Sequence, residues 1–252
     1  MQMEQKEWYK HWFNSPYYHL LYEDRNEMEA AIFIDLLLQH LKPKDRSLML
    51  DIACGKGRHS LQLAKKGYQV TGIDISPESI KAAQLQAGES AEFFIHDMRV
   101  PFRVNYYDYA FNFFTSFGYF DTEREHINAI HNMMLSLKRN GILVIDYLNP
   151  EYIIQHLEST SEVQHGHIHF LIERKYDDAF FYKTITVKDP QQDKPLIFTE
   201  KVAKFNLDTF EKMFKINGLS TIEVLGDYQL TSFDPLSSPR MIMIAKKQAI
   251  LV

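Results

Sequence analysis

Asp51, Asp74 and Asp97 each sit in or just after a short apolar run, and Gly55 and Gly57 lie between the first two. A carboxylate at the end of a strand can accept two hydrogen bonds from a diol, or one or more from an amine. Closely spaced glycines let a ligand approach the backbone where side chains would block it. Together these residue types suit the holding of a polar organic cofactor. Side chains that could move a proton nearby are Tyr17, Tyr119, His126 and Asp146. His126 and His131 are five apart, which is not the i, i+4 spacing of a helical metal pair, so no metal is expected.

The elements that would position these groups follow from periodicity. Leu48, Met49, Leu50 and Ile52 make a run short enough for a buried parallel strand. The glycine turn follows, then a helix over Ser60–Lys66 ended by Gly67, then a strand over Tyr68–Ile73 with Asp74 at its carboxyl end. Ligands of open α/β sheets bind at that edge. By spacing alone a nicotinamide dinucleotide fits, because Gly55, Gly57 and Asp74 match its fingerprint, although Ser60 stands at the third glycine.

The run Asp51-Ile52-Ala53-Cys54-Gly55-Lys56-Gly57 more closely resembles motif I of the class I S-adenosylmethionine-dependent methyltransferases, with Ala53 at the first glycine. Alanine there requires a negative φ or local strain. The resemblance implies S-adenosylmethionine as cofactor. It implies that Asp51, Ala53, Cys54, Gly55 and Gly57 take its amino-acid end, Asp74 and Ile75 its ribose, and Asp97 and Met98 its adenine. Asn112 and Phe113, at the end of a strand over Tyr107–Phe114, would border its methionine part. The run Asn112-Phe113-Phe114-Thr115 lacks the prolines common in enzymes that methylate nucleic-acid bases or protein glutamine, which argues against those acceptors.

Helices are expected over Asn26–Leu41, from Ser76-Pro77 to Gly88, over Thr122–Lys138 and over Leu207–Asn217. Further strands are expected over Ala91–Ile95, Ile142–Ile145, Leu219–Gly226 and Met241–Lys246. The alternation over 48–146 reads as a parallel sheet. The resemblance makes this a Rossmann-like α/β fold with a mostly parallel seven-stranded sheet whose last strand is antiparallel. Residues 160–205 break the rhythm with three alternating segments, His167–Lys175, Phe180–Lys188 and Leu196–Lys204, and read as an antiparallel β-meander insertion. The expected division is a core of 1–159 and 206–252 and an insertion of 160–205 serving as a lid or a homodimer contact. Within the core, 1–41 forms an N-terminal helical flap dense in aromatics, with Tyr18 and Arg25 as candidates for touching cofactor or substrate.

With 252 residues and a formal net charge of -5, the balance argues against a broad surface for nucleic acid or anionic membranes. Cys54 is the only cysteine, so no intramolecular disulfide can form. Residues 1–14 lack the apolar core of a signal peptide, and no apolar run is long enough to span a bilayer, so the expectation is a cytoplasmic protein. The leading functional reading is methyl transfer to a nitrogen or oxygen of a small molecule. The alternatives are a nicotinamide oxidoreductase and a non-catalytic S-adenosylmethionine-binding scaffold.

Overall fold

The computed structural model describes residues 7–22 and 27–248. Two short helices come first, α1 (Trp8–Phe13) and α2 (Pro16–Leu21), then the longer α3 (Glu27–Leu41). Ser15 caps α2 by accepting from the Tyr17 amide, with Pro16 at its first position. The alternating core runs β1 (Leu48–Ile52), α4 (Arg58–Lys65), β2 (Gln69–Asp74), α5 (Pro77–Ala87), β3 (Ala91–Ile95), β4 (Tyr107–Asn112), α6 (Glu123–Ser136) and β5 (Leu137–Leu148). After α7 (Pro150–Gln155) come β6 (Thr160–His165), β7 (Ile168–Tyr176), β8 (Phe180–Lys188) and β9 (Leu196–Ala203). The described chain finishes with α8 (Leu207–Ile216), β10 (Leu219–Leu225) and β11 (Arg240–Lys247).

Seven strands form one sheet in the order β10-β11-β5-β4-β1-β2-β3. β1, β2, β3, β4 and β5 pair in parallel, and β11 runs antiparallel between β5 and β10. This is the mostly parallel sheet with an antiparallel last strand. A plain doubly wound half has no such reversal. One layer of core packs α6 and α8 against the sheet through Ile130, Met133, Phe210 and Phe214. The opposite layer uses Phe33, Ile34 and Leu37 of α3 with Leu63 of α4. Residues buried on both faces, such as Leu50, Phe111 and Val144, explain why these strands carry apolar runs.

Several boundaries differ from the periodicity. α4 begins at Arg58, two residues early, because Gly57 takes φ 82° as its N-cap. The helix expected to reach Lys138 stops at Ser136, and β5 starts at once, with Leu137 paired to Tyr107. Asn140, at φ 63°, and Gly141 therefore lie inside a strand irregularity rather than at a helix end. β4 stops at Asn112 because Phe114 and Thr115 turn left-handed, at φ 56° and 59°. The antiparallel sheet has four strands, β6-β7-β8-β9; the extra one, β6, carries the alternation of Thr160–His165. Among the described residues no helix is long and apolar enough to cross a membrane.

His126 shows how burial removes a base. Its ring is buried between Phe117, Phe120 and Phe205. Nδ1 lies 2.9 Å from the Thr122 carbonyl and Nε2 accepts from the Phe120 amide at 3.3 Å, which requires the neutral Nδ1–H tautomer. Burial lowers its pKa to about 4. The unfolded chain therefore takes up a proton there before the folded one does, and stability falls as pH drops from about 6.5 toward about 4. Relative to His126→Asn, the wild type should lose about 2 kcal/mol between about pH 7 and about pH 5. Urea denaturation of both proteins at the two pH values checks this; parallel pH profiles would contradict it.

Candidate functional site

A cavity of ≈ 740 Å³ opens at the carboxyl edge of the parallel strands. Its floor is Asp51, Ala53, Cys54 and Gly55, one wall is Phe113, Phe114 and Ser116, and its roof is Tyr18, His19, Leu20 and Tyr22 of the α2 segment. Lys56, Arg58 and His59 line it on the α4 side.

The floor is a strained turn. Ala53 sits at φ 58°, so the chain takes the strained option that alanine left open, at a cost of roughly 1–2 kcal/mol. Gly55 sits at φ 56°, and a Cβ built on it meets nothing within 4 Å, so its missing side chain leaves open space in the cavity floor. Gly57 answers to packing instead: a Cβ there would lie 2.8 Å from the Phe93 ring.

Asp51 is buried, and Ser60 Oγ donates to it at 2.5 Å. Burial, assisted by the charge of Asp74, raises its pKa to about 7, although the Ser60 hydrogen bonds oppose the rise. Asp74 accepts from the Gly55 amide on one oxygen and the Ser76 amide on the other, each at 2.8 Å. Burial raises its pKa while those amides pull it down. Asp74 does not itself line the cavity; it lies directly behind Gly55, and each of its carboxylate oxygens keeps a second lone pair.

The wall depends on a clamp. Asp146, fully buried, pairs with Arg240 at 2.7 Å, accepts from the Phe114 amide at 2.8 Å and from the Tyr228 hydroxyl at 3.1 Å. Its carbonyl accepts from the Thr115 amide at 2.9 Å, and Arg240 Nη2 donates to Thr115 Oγ1 at 2.9 Å. Asp146 is thereby committed to structure and is not a free base. The Phe114 ring stacks on Tyr228 at 5.1 Å, with the Arg58 guanidinium 4.5 Å away, and His59 lies 4.7 Å from Phe113.

Of the residues expected from sequence, Tyr18, Asp51, Ala53, Cys54, Gly55 and Phe113 line this cavity. Asn112 lies fully buried at the end of β4; its amide donates to the Ile52 and Ser116 carbonyls, and among the described residues its Oδ1 has no partner. Arg25 lies outside the described residues. Ile75 and Met98 are partly buried and pack against the core cluster that holds Tyr9, Phe117 and Phe120. Asp97 is engaged by Arg99, which also reaches Glu7 and Glu125. Burial alone would raise the Asp97 pKa, but the Arg99 hydrogen bonds hold it below the usual range. Tyr17 donates to Asp189 at 2.6 Å and Tyr119 to the Thr115 carbonyl at 2.5 Å, so both tie segments together, and neither lines the main cavity. Sequence reasoning passed over Lys56, Arg58, His59, Phe114 and Tyr22. Arg58 and His59 directly follow the glycine turn, which was the available signal. Tyr22 carried none beyond the aromatic density of its segment.

A family model described as a methyltransferase domain matches residues 49–141. The putative methyltransferase YqeM of Bacillus subtilis (strain 168) is 27% identical over 225 residues, 82% of this chain and 87% of that protein. A glycine/sarcosine N-methyltransferase of Parasynechococcus marenigrum (strain WH8102) is 31% identical over 152 residues, 56% of this chain and 50% of that protein. An S-adenosylmethionine-dependent methyltransferase structure from Clostridium acetobutylicum ATCC 824 superposes with a TM-score of 0.78 at 16% identity, covering 92% of this chain and 96% of that one.

The residues present fit S-adenosylmethionine. A buried carboxylate suits an ammonium, cations at Lys56 and Arg58 suit a carboxylate, and open space stands over Gly55. Among the described residues no cluster of three His, Cys, Asp or Glu side chains could hold a metal.

The clamp makes a stability prediction. Arg240→Met leaves Asp146 buried and unpaired and should cost ~3–5 kcal/mol. Adding Asp146→Asn should recover part of that loss. A double-mutant cycle by urea denaturation checks it, and purely additive losses would contradict the coupling.

Proposed function

Within the class I S-adenosylmethionine-dependent methyltransferases, the family to which this chain belongs, we propose that it methylates an amine nitrogen of a small molecule. The observation that carries this reading is the composition of the cavity. One end is Asp51 and the Ala53–Gly55 turn; the other is aromatic, with Tyr18, Tyr22, Phe113 and Phe114. Aromatic faces suit a cationic amine. At ≈ 740 Å³ the space suits a cofactor with a small acceptor. The likeness to a glycine/sarcosine N-methyltransferase supports nitrogen over oxygen.

When bound, S-adenosylmethionine supplies a methyl group already activated on a sulfonium. Asp51 would hold its ammonium, Lys56 and Arg58 its carboxylate, and Asp74 its ribose diol. The Phe113–Ser116 wall positions the acceptor and excludes water. Orientation of this kind can account for ~7–11 kcal/mol of a barrier. The four-stranded sheet, joined to the α1–α2 segment by Trp12–Glu200 and Tyr17–Asp189, holds the roof over the cavity.

The reading is tested by incubating the protein with S-adenosylmethionine and mixed primary amines, secondary amines and alcohols, followed by mass spectrometry. Products methylated on nitrogen are expected; methylation of alcohols alone would contradict it.

The raised pKa of Asp51 gives a second test. An ammonium pairs with the ionised carboxylate, so below about pH 7 binding must first expel a proton. Affinity for S-adenosylhomocysteine should fall as pH drops, approaching tenfold per unit. Asp51→Asn should bind more weakly and lose this dependence. Calorimetry between about pH 5.5 and about pH 7.5 checks both points, and a flat wild-type profile would contradict the assignment.

A further inference from the structure

An amine of ordinary basicity arrives as an ammonium, whose nitrogen has no lone pair to attack with, so a proton must leave before methyl transfer. None of the bases suggested by residue type provides a route. Tyr17, Tyr119 and His126 do not line the main cavity, and Asp146 is locked to Arg240.

A different group stands on the cavity wall. Tyr22, at the carboxyl end of α2, lines the cavity with Tyr18. Its hydroxyl donates to Glu200 Oε1 on β9 at 2.9 Å and accepts from Lys183 Nζ on β8. Lys183 also faces Glu200 at 3.7 Å, and Trp12 Nε1 donates to the same Oε1 at 2.7 Å. The Lys183 and Glu200 side chains are only 19% and 17% exposed. Trp12 and the Tyr22 ring belong to an apolar cluster with Phe170, Ile172, Ile185 and Val187. Three polar groups drawn from distant segments into an apolar seam carry a desolvation cost that an apolar set would avoid. Their arrangement is that of a proton relay: a phenol on the cavity, a carboxylate accepting from it, and an ammonium donating to the phenol oxygen.

We infer that Tyr22 is the catalytic residue that takes the proton from the acceptor ammonium, with Glu200 as the onward acceptor and Lys183 as a positioning residue. This inference rests on the amine-acceptor reading. The ammonium gives one proton to the Tyr22 oxygen while the phenolic proton passes to Glu200. The freed nitrogen lone pair then forms the N–C bond as the S–C bond breaks, its electron pair staying on sulfur. Glu200 returns its proton to solvent through its exposed fraction. Among the described residues, the other titratable groups lining the cavity with Tyr22 are Tyr18 and His19 on α2 and, on the other walls, Glu27, Asp51, Cys54, Lys56, Arg58, His59 and Lys65.

The test is the pH dependence of methyl transfer to glycine, ethanolamine and glucosamine by the wild type, Tyr22→Phe and Glu200→Gln. At about pH 7, Tyr22→Phe should be slower by about 10²–10⁴-fold in kcat, with S-adenosylhomocysteine affinity unchanged. The deficit should shrink about tenfold per pH unit as the amine itself deprotonates. Glu200→Gln should show the same trend with a smaller deficit. A purely structural role would give a deficit that is the same at every pH, and that result overturns the relay. Wild-type transfer that Tyr22→Phe matches throughout also overturns the relay and leaves the amine reading standing. Wild-type transfer to none of the three amines overturns both.

Discussion

The Asp146–Arg240 ion pair is the constraint on which the rest of the site depends. β4 must end early and turn through two left-handed non-glycine residues so that Phe113, Phe114 and Ser116 face the cavity. Strain of that kind persists only where surroundings over-determine it. Asp146 supplies two of the restraints, through its side chain to Phe114 and its carbonyl to Thr115, and Arg240 supplies a third. The pair itself exists because β11 runs antiparallel beside β5, which sets Arg240 opposite Leu148, near Asp146. The strand reversal that marks the fold thus has a direct consequence at the cavity wall. From there the contacts pass through Tyr228 and Phe114 to Arg58, next to the glycine turn.

The roof is assembled differently. α1 and α2 meet the four-stranded sheet through side chains more than 160 positions away, in a seam that mixes Trp12, Tyr17 and Tyr22 with Asp189, Lys183 and Glu200. Asn14 accepts from the Ser76 hydroxyl and the Glu78 amide, which anchors the segment over the start of α5. The sheet in turn joins the core where the Ala203 amide donates to the Gly118 carbonyl and Tyr147 donates to the Ala203 carbonyl. Floor, wall and roof therefore come from three chemistries: a backbone turn, a buried ion pair and a polar seam.

The parts legible in sequence were those written locally. The apolar runs of β1 and β2, the glycines between them and the Ser-Pro caps of α2 and α5 each have a short-range signature. The cavity floor, Asp51 to Gly55, was therefore readable. The order of the sheet followed from the resemblance, since periodicity does not encode the reversal of β11. What stayed hidden depends on distant pairing. Nothing near Asp146 announces Arg240, nothing near Tyr22 announces Lys183 and Glu200, and the proton-moving candidates chosen by type proved to be turn-holders and latches. Asp97 resembles an adenine ligand by position, yet Arg99, two residues on, takes its carboxylate. The helix carried on to Lys138 failed at Ser136 because pairing of Leu137 with Tyr107 overrode helical periodicity.

The most direct measurement is calorimetric titration of S-adenosylhomocysteine into the wild type and Gly55→Val, with NADH in parallel and thermal melts to confirm folding. A valine at Gly55 would fill the open space above the turn that the cofactor is assigned to occupy. The account predicts saturable one-site binding of S-adenosylhomocysteine to the wild type, no binding of NADH, and loss of binding in a Gly55→Val protein that still melts cooperatively. Undiminished binding by the folded variant, or binding of NADH in place of S-adenosylhomocysteine, would contradict it.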